Sequence, residues 1–275
     1  MGHVSVEGLD FWVDRYGQGP PVMLLHGFTG SRSTWYDLVR HIEEEFTTYS
    51  VDLIGHGRSA SPASVERYAM DRAVDDLVEV MQALGHERAT WLGYSLGGRT
   101  ALQVATRRPE AVSALVLEGA SPGLATEAER AARIEGDAAL ARMIEQDGLE
   151  AFVDYWGSIP LWASQADHLS GPQREALRQQ RLAQRGPGLA NSLRGMGTGA
   201  QAWVGERLAD VRVPVLLTAG SLDQKYVEIA REMAGTFPDA TLRVIEDAGH
   251  AAHLEQPEAF NATVLEFLRS VRPRL

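Results

Sequence analysis

With 275 residues, a formal charge of −11 and no cysteine, the chain is long enough for one large core carrying an insertion. It lacks the positive field that nucleic acid or an anionic membrane requires, and disulfides, thiolate metal sites and a cysteine nucleophile are excluded. With that net charge an anionic ligand has to be met locally by individually placed side chains; all but one of the 26 basic residues are arginine, Lys225 being the exception.

The opening MGHVSVEGLD has no basic segment leading into a long apolar stretch, and no later segment approaches roughly 18 uninterrupted apolar residues. Val6 stands where a myristoylation signal needs serine or threonine. A cytoplasmic protein without membrane or nucleic-acid partners, monomeric or a small homo-oligomer, is expected.

In chain order, HVSVEGLDFWVDRYG alternates as two antiparallel strands turning at Glu7 and Gly8. PVMLLHGF is a short apolar run ended by glycine, as for a strand buried on both faces, and TTYSVDLIGHGRS, ATWLGYS, VSALVLEGA, VPVLLTAG and TLRVIEDAGH repeat the design. Between them lie helical patterns such as YAMDRAVDDLVEVMQALG, closed by glycine. Strand and helix in alternation predict an α/β fold with a mostly parallel, doubly wound sheet. Residues 121–205 break that rhythm, being helical, arginine-bearing and punctuated by Gly171, Pro172, Gly186, Pro187 and Gly188. They are read as a helical cap inserted into a core made of residues 1–120 and 206–275.

The chemistry starts at Gly93-Tyr94-Ser95-Leu96-Gly97, a G-x-S-x-G directly after a predicted strand and before a helix, the context of a nucleophile elbow. A serine hydroxyl needs an imidazole to take its proton, and the imidazole needs an acid to fix its tautomer. Asp223 in AGSLDQKY and His250 in EDAGHAAHLEQPE supply both, each beyond a predicted strand and in the order serine, aspartate, histidine. Glu118 and His253 are the competing assignments, His253 being read as a helix-start residue packing near the site. The amides of Leu96, after the serine, and Phe28, in LLHGFTGS, are candidates for an oxyanion hole. His26, Asp52, His56 and Arg58 are read as loop-stabilising residues. Two histidines separated by two alanines, without a third ligand, make no metal site, and GYSLGG lacks the Lys-Ser/Thr of a phosphate loop; neither metal nor cofactor is expected. Arg99, four residues past Ser95 on the same predicted helix face, is a charge that burial would leave needing compensation.

These features resemble the α/β-hydrolases over nearly the whole chain. GYSLGGR, LEGASPGL, ERAARIEGD and GLANSLRGMGTGAQ resemble, more particularly, the 2-succinyl-6-hydroxy-2,4-cyclohexadiene-1-carboxylate synthases of menaquinone biosynthesis. The resemblance implies a cofactor-free lyase. It eliminates pyruvate from 2-succinyl-5-enolpyruvyl-6-hydroxy-3-cyclohexene-1-carboxylate, a small polycarboxylate. It implies Ser95, Asp223 and His250 as triad, Phe28 and Leu96 as oxyanion donors, and Tyr94, Arg99, Arg133, Trp156 and Arg181 as substrate contacts, with Arg178 and Arg185 as alternatives to Arg181. A serine hydrolase of esters, thioesters or C–C bonds, and a non-catalytic binding protein on the same fold, are the competing readings.

Overall fold

The structure, a computed structural model, describes residues 2–272; residue 1 and residues 273–275, the ends of the expected core segments, lie outside the described residues. Eight strands form one sheet in the order β1-β2-β4-β3-β5-β6-β7-β8. They are β1 (Gly2–Val6), β2 (Leu9–Tyr16), β3 (Pro21–Leu25), β4 (Thr47–Val51), β5 (Ala89–Tyr94), β6 (Val112–Glu118), β7 (Val215–Gly220) and β8 (Ala240–Ile245). β2 runs antiparallel to both β1 and β4, and β3 to β8 are parallel. The first hairpin pairs Val6 with Leu9, and Glu7 and Gly8 both take positive φ, 49° and 76°. This is the turn whose twist matches a two-residue hairpin.

The interior strands are apolar throughout because helices cover both faces of the sheet. Alternation along β3 sends Met23 and Leu25 into one layer and Val22 and Leu24 into the other. The first layer is closed by α2 (Met70–Ala83), α3 (Leu96–Arg107) and α9 (Gln224–Thr236), the second by α1 (Tyr36–Ile42) and α11 (Pro257–Val271). On α11, Phe260, Val264 and Leu268 follow at four-residue spacing and are fully buried, which stabilises the fold by about 1.5–3 kcal/mol for each side chain.

Between β6 and β7 the chain makes α4 (Glu127–Gln146), α5 (Gly148–Ser158), α6 (Gln165–His168), α7 (Gly171–Leu182) and α8 (Gly186–Met196), with no strand. Reciprocal side-chain caps start two of them, Thr126 with Glu129 and Ser170 with Gln173. Ala141, Ile144, Phe152, Leu189 and Leu193 form a separate apolar cluster among these helices, and Phe28, from the loop after β3, packs against it. The helices therefore lie over the loops that leave the carboxyl ends of the parallel strands, where open α/β sheets place their ligands. The short α10 (Ala252–Glu255) follows β8.

Candidate active site

β5 ends at Tyr94 and α3 begins at Leu96, so a single residue, Ser95, makes the turn, with φ 51° and ψ −109°. That left-handed conformation costs a non-glycine residue on the order of 1–3 kcal/mol, and the neighbouring backbones enforce it. A β-carbon on Gly93 would stand 2.2 Å from the Gly97 carbonyl oxygen, and one on Gly97 2.1 Å from that of Leu25. The Ser95 N–H donates to the Glu118 carbonyl at 2.8 Å, pinning the turn to β6.

His250, in the loop after β8, directs Nε2 at Ser95 Oγ (3.1 Å) and Nδ1 at Asp223 Oδ2 (2.7 Å). A carboxylate only accepts, so Nδ1 carries the proton and Nε2 is left to accept from the serine hydroxyl. Asp223 is itself fixed as the first cap of α9, its other oxygen accepting the Tyr226 N–H. The rings of Tyr226, Tyr94 and Trp162 stand 4.5, 5.4 and 5.7 Å from the imidazole and leave its side chain 1% exposed.

Glu118 serves a different histidine. It accepts both the backbone N–H of His253 (3.0 Å) and the Nδ1–H of its ring (2.9 Å) in a second buried pair behind Tyr94. His253 lies in α10, as its helix-start reading requires.

Leu96 is the first residue of α3, where N–H groups have no acceptor within the helix and the dipole is positive. Phe28 sits on a loop held by His26, whose Nδ1 donates to the Gly27 carbonyl and whose Nε2 accepts the Leu53 N–H. Burial pushes the His26 pKa down, which keeps the ring in this neutral, two-way role. Asp52 likewise accepts from Arg32 and from the Arg58 amide, and His56 donates Nδ1–H to the Ile54 carbonyl.

A cavity of about 580 Å³ opens in front of Ser95 and His250, bounded by Phe28, Leu96, Tyr94, Trp156 and the arginines 99 and 133. Arg99 is only 8% exposed. Its Nη1 donates to the Met196 carbonyl (3.0 Å) and to the Gln201 amide oxygen, and no carboxylate among the described residues lies within 4 Å of its guanidinium. The protein thus offsets part of this group's desolvation with neutral acceptors, and Asp137, the carboxylate that acts on it, does so from beyond ion-pair distance and against the repulsion of Arg133. Burial pushes its pKa down to about 10, still charged at neutral pH.

Arg133, one side of whose fork donates Nε–H to Asp137 (2.8 Å), is half-exposed at the rim. Asp137 is buried, its pKa pushed up by burial against the pull of Arg133, and its second oxygen has no hydrogen-bond partner among the described residues. Trp156 stacks on Phe152 and meets the edges of Phe28 and Trp162; among the described residues its buried indole N–H has no partner, and neither has the Tyr94 hydroxyl.

Arg181 does not border the main cavity. It lies across Trp162, 5.4 Å from the ring centroid, and borders a small adjoining space with Tyr94 and His253. Among the described residues nothing accepts a hydrogen bond from its side chain, and burial lowers its pKa. The two neighbouring arginines are committed elsewhere. Arg178 pairs with Glu150 and Asp154 at the surface, and Arg185 donates to the Ser59 carbonyl.

Four residues that shape the site escape a sequence reading: Asp137, Trp162, Gln201 and Tyr226. Only Asp137 carries a local signal, its i to i+4 spacing from Arg133; the others reach the site through chain segments distant in sequence. Among the described residues no group of three or more His, Asp or Glu side chains is placed to hold a metal ion. No helix among them is long and apolar enough to cross a membrane.

A strained serine after a central strand, a histidine and an aspartate on later loops, and helices inserted over the strand ends define an α/β-hydrolase, and the family model described as the alpha/beta hydrolase fold matches residues 20–257. A Bacillus subtilis (strain 168) protein provisionally named 2-succinyl-6-hydroxy-2,4-cyclohexadiene-1-carboxylate synthase is 43% identical over 250 residues, 91% of this chain and 90% of that protein. The synthase of that name from Serratia proteamaculans (strain 568) is 31% identical over 90% of this chain and 93% of its own. MenH from S. aureus superposes with a TM-score of 0.91 at 32% identity, over 94% of this chain and 98% of that one. The chain belongs to this synthase family of the α/β-hydrolases.

Proposed function

We propose that this chain is the pyruvate-eliminating lyase of menaquinone biosynthesis, acting on 2-succinyl-5-enolpyruvyl-6-hydroxy-3-cyclohexene-1-carboxylate. Two relatives sharing 43% and 31% of its residues over nine-tenths of the chain carry the name of the synthase that makes the product. The observation within the site that carries the reading is Arg99, a buried cation four residues from Ser95, facing the cavity and, among the described residues, without a carboxylate in ion-pair contact. A site for neutral esters has no use for such a charge, whereas a polycarboxylate supplies the missing counterion through charge-assisted hydrogen bonds.

The substrate has its ring double bond at C3 and the product has two, at C2 and C4, which fixes the electron movement. The proton leaves C2, its bonding pair forms C2=C3, the C3=C4 pair moves to C4=C5, and the C5–O pair departs with the enolpyruvyl group, which is protonated to pyruvate. C2 is adjacent to the succinyl ketone, so negative charge spreads onto that oxygen. In this reading the ring proton reaches the imidazole through Ser95, because the Nε2 of His250 is occupied by the serine hydroxyl. Asp223 holds the tautomer and stabilises the imidazolium. The amides of Phe28 and Leu96 hold the enolate oxygen. Arg99 and Arg133 anchor carboxylates in the main cavity and Arg181 receives one reaching the small adjoining space, with Tyr94 and Trp156 against the ring, so that C2–H meets Ser95.

The test is to generate the substrate in place with the enzymes that make it and follow pyruvate with lactate dehydrogenase and NADH. Pyruvate release dependent on this chain supports the reading. Its absence, with burst hydrolysis of a chromogenic ester instead, makes the chain a serine hydrolase. Binding unaffected by Ser95→Ala, with no turnover, makes it a binding protein.

A further inference from the structure

The Arg99 guanidinium has five N–H groups. Both protons of Nη1 are taken, one by the Met196 carbonyl and one by Gln201 Oε1. Nε and Nη2 have no protein acceptor among the described residues, and the side chain borders the cavity. That edge is the one that grips a carboxylate with two parallel hydrogen bonds. Gln201 is 2% exposed and sits in the turn after α8, its own N–H bonded to the Gly197 carbonyl. The segment is tied to α3 again one turn on, where Gln103 Nε2 donates to the Ala202 carbonyl at 2.9 Å. The Gln201 amide nitrogen is buried without a partner among the described residues. It lies against Gly123, where a β-carbon would come within 3.0 Å of it, so the side chain is confined with its oxygen on Arg99.

We infer that Gln201 is a positioning residue that sets specificity for carboxylates: it orients the Arg99 guanidinium through a neutral oxygen, and its neutrality keeps that cation available to the substrate. A glutamate would fit the same space and make the same hydrogen bond, but would supply the counterion internally. Arg99 would then be a closed ion pair, and a substrate carboxylate would meet a neutral unit with a negative charge close behind it. The inference rests on the proposed function, since it names how that site recognises its substrate.

Charge and structure make opposite rankings of two substitutions. Gln201→Glu preserves shape and hydrogen bond but cancels the charge. Gln201→Met removes the hydrogen bond and leaves the charge. With the wild-type chain as reference in the pyruvate assay, Gln201→Glu should raise KM at least tenfold with kcat lowered less than threefold, whereas Gln201→Met should raise KM two- to fivefold, both variants melting within a few degrees of wild type. A Gln201→Glu KM within twofold of wild type, or a Gln201→Met defect as large as that of Gln201→Glu, overturns the inference. Failure of the wild-type chain to release pyruvate would instead sink the proposed function.

Discussion

Replacing Arg99 by methionine removes the buried cation while keeping an unbranched side chain of similar length. Two charge-assisted hydrogen bonds to one carboxylate, at about 1.5–3 kcal/mol each, are worth about 3–6 kcal/mol to the bound substrate and its transition state. At about 1.4 kcal/mol per decade, kcat/KM should fall roughly 10²- to 10⁴-fold. The group is charged throughout the assay range, because burial lowers its pKa only to about 10. The substitution also strands the Met196 carbonyl and the Gln201 oxygen, a cost of about 1–3 kcal/mol for each buried acceptor left unpaired, offset in part by removing a desolvated cation. Folding is therefore checked by thermal melting before kinetics are compared. Initial rates of pyruvate formation across substrate concentration, for wild type and Arg99→Met, give the loss directly. A variant whose kcat/KM stays within threefold of wild type would refute the role of Arg99 as a carboxylate anchor.

Arg181, stacked on Trp162 without a side-chain hydrogen-bond partner among the described residues, and Arg178, tied to two surface carboxylates, should part company in the same assay. Arg181→Met is expected to lose at least tenfold in kcat/KM, and Arg178→Met to stay within twofold because exposed ion pairs contribute little; equal losses would dissolve the distinction. A third expectation concerns stability. Burial, with a smaller contribution from His26, pushes the His56 pKa to about 3, below its ordinary value near 6.5. Between those values the unfolded chain binds one more proton than the folded chain at this site. This site therefore makes stability fall as pH drops, by about 1.4 kcal/mol per pH unit. Urea unfolding at pH 4.5, 5.5 and 7 should show a shallower acid slope for His56→Gln than for wild type, and an unchanged slope would refute the neutral buried state.

The parts of this molecule that a sequence reading reaches are those dictated by short-range sterics. Gly93 and Gly97 announce the elbow because a β-carbon at either would enter a backbone carbonyl. The strands announce themselves because burial on both faces demands continuous apolar runs. Long-range choices are less accessible. Glu118 ends β6 and Asp223 follows β7, and only the path of the chain after β8 decides that His250 meets Asp223 and His253 meets Glu118. Residues 178, 181 and 185 share a helical face by period, so spacing cannot choose among them. The choice is made by Glu150 and Asp154 on α5, which capture Arg178, and by the end of α7 at Leu182, which sends Arg185 to the Ser59 carbonyl. Gln201 is hidden for the same reason, since its partner lies 102 residues away.

The central claim, elimination of pyruvate through the Ser95, His250 and Asp223 constellation, is tested most directly by following pyruvate from substrate generated in place, with wild type and His250→Ala side by side. The account predicts one pyruvate for each diene formed by wild type and at least a hundredfold slower release by His250→Ala. No pyruvate from the wild-type chain, or equal rates for the two proteins, would contradict it.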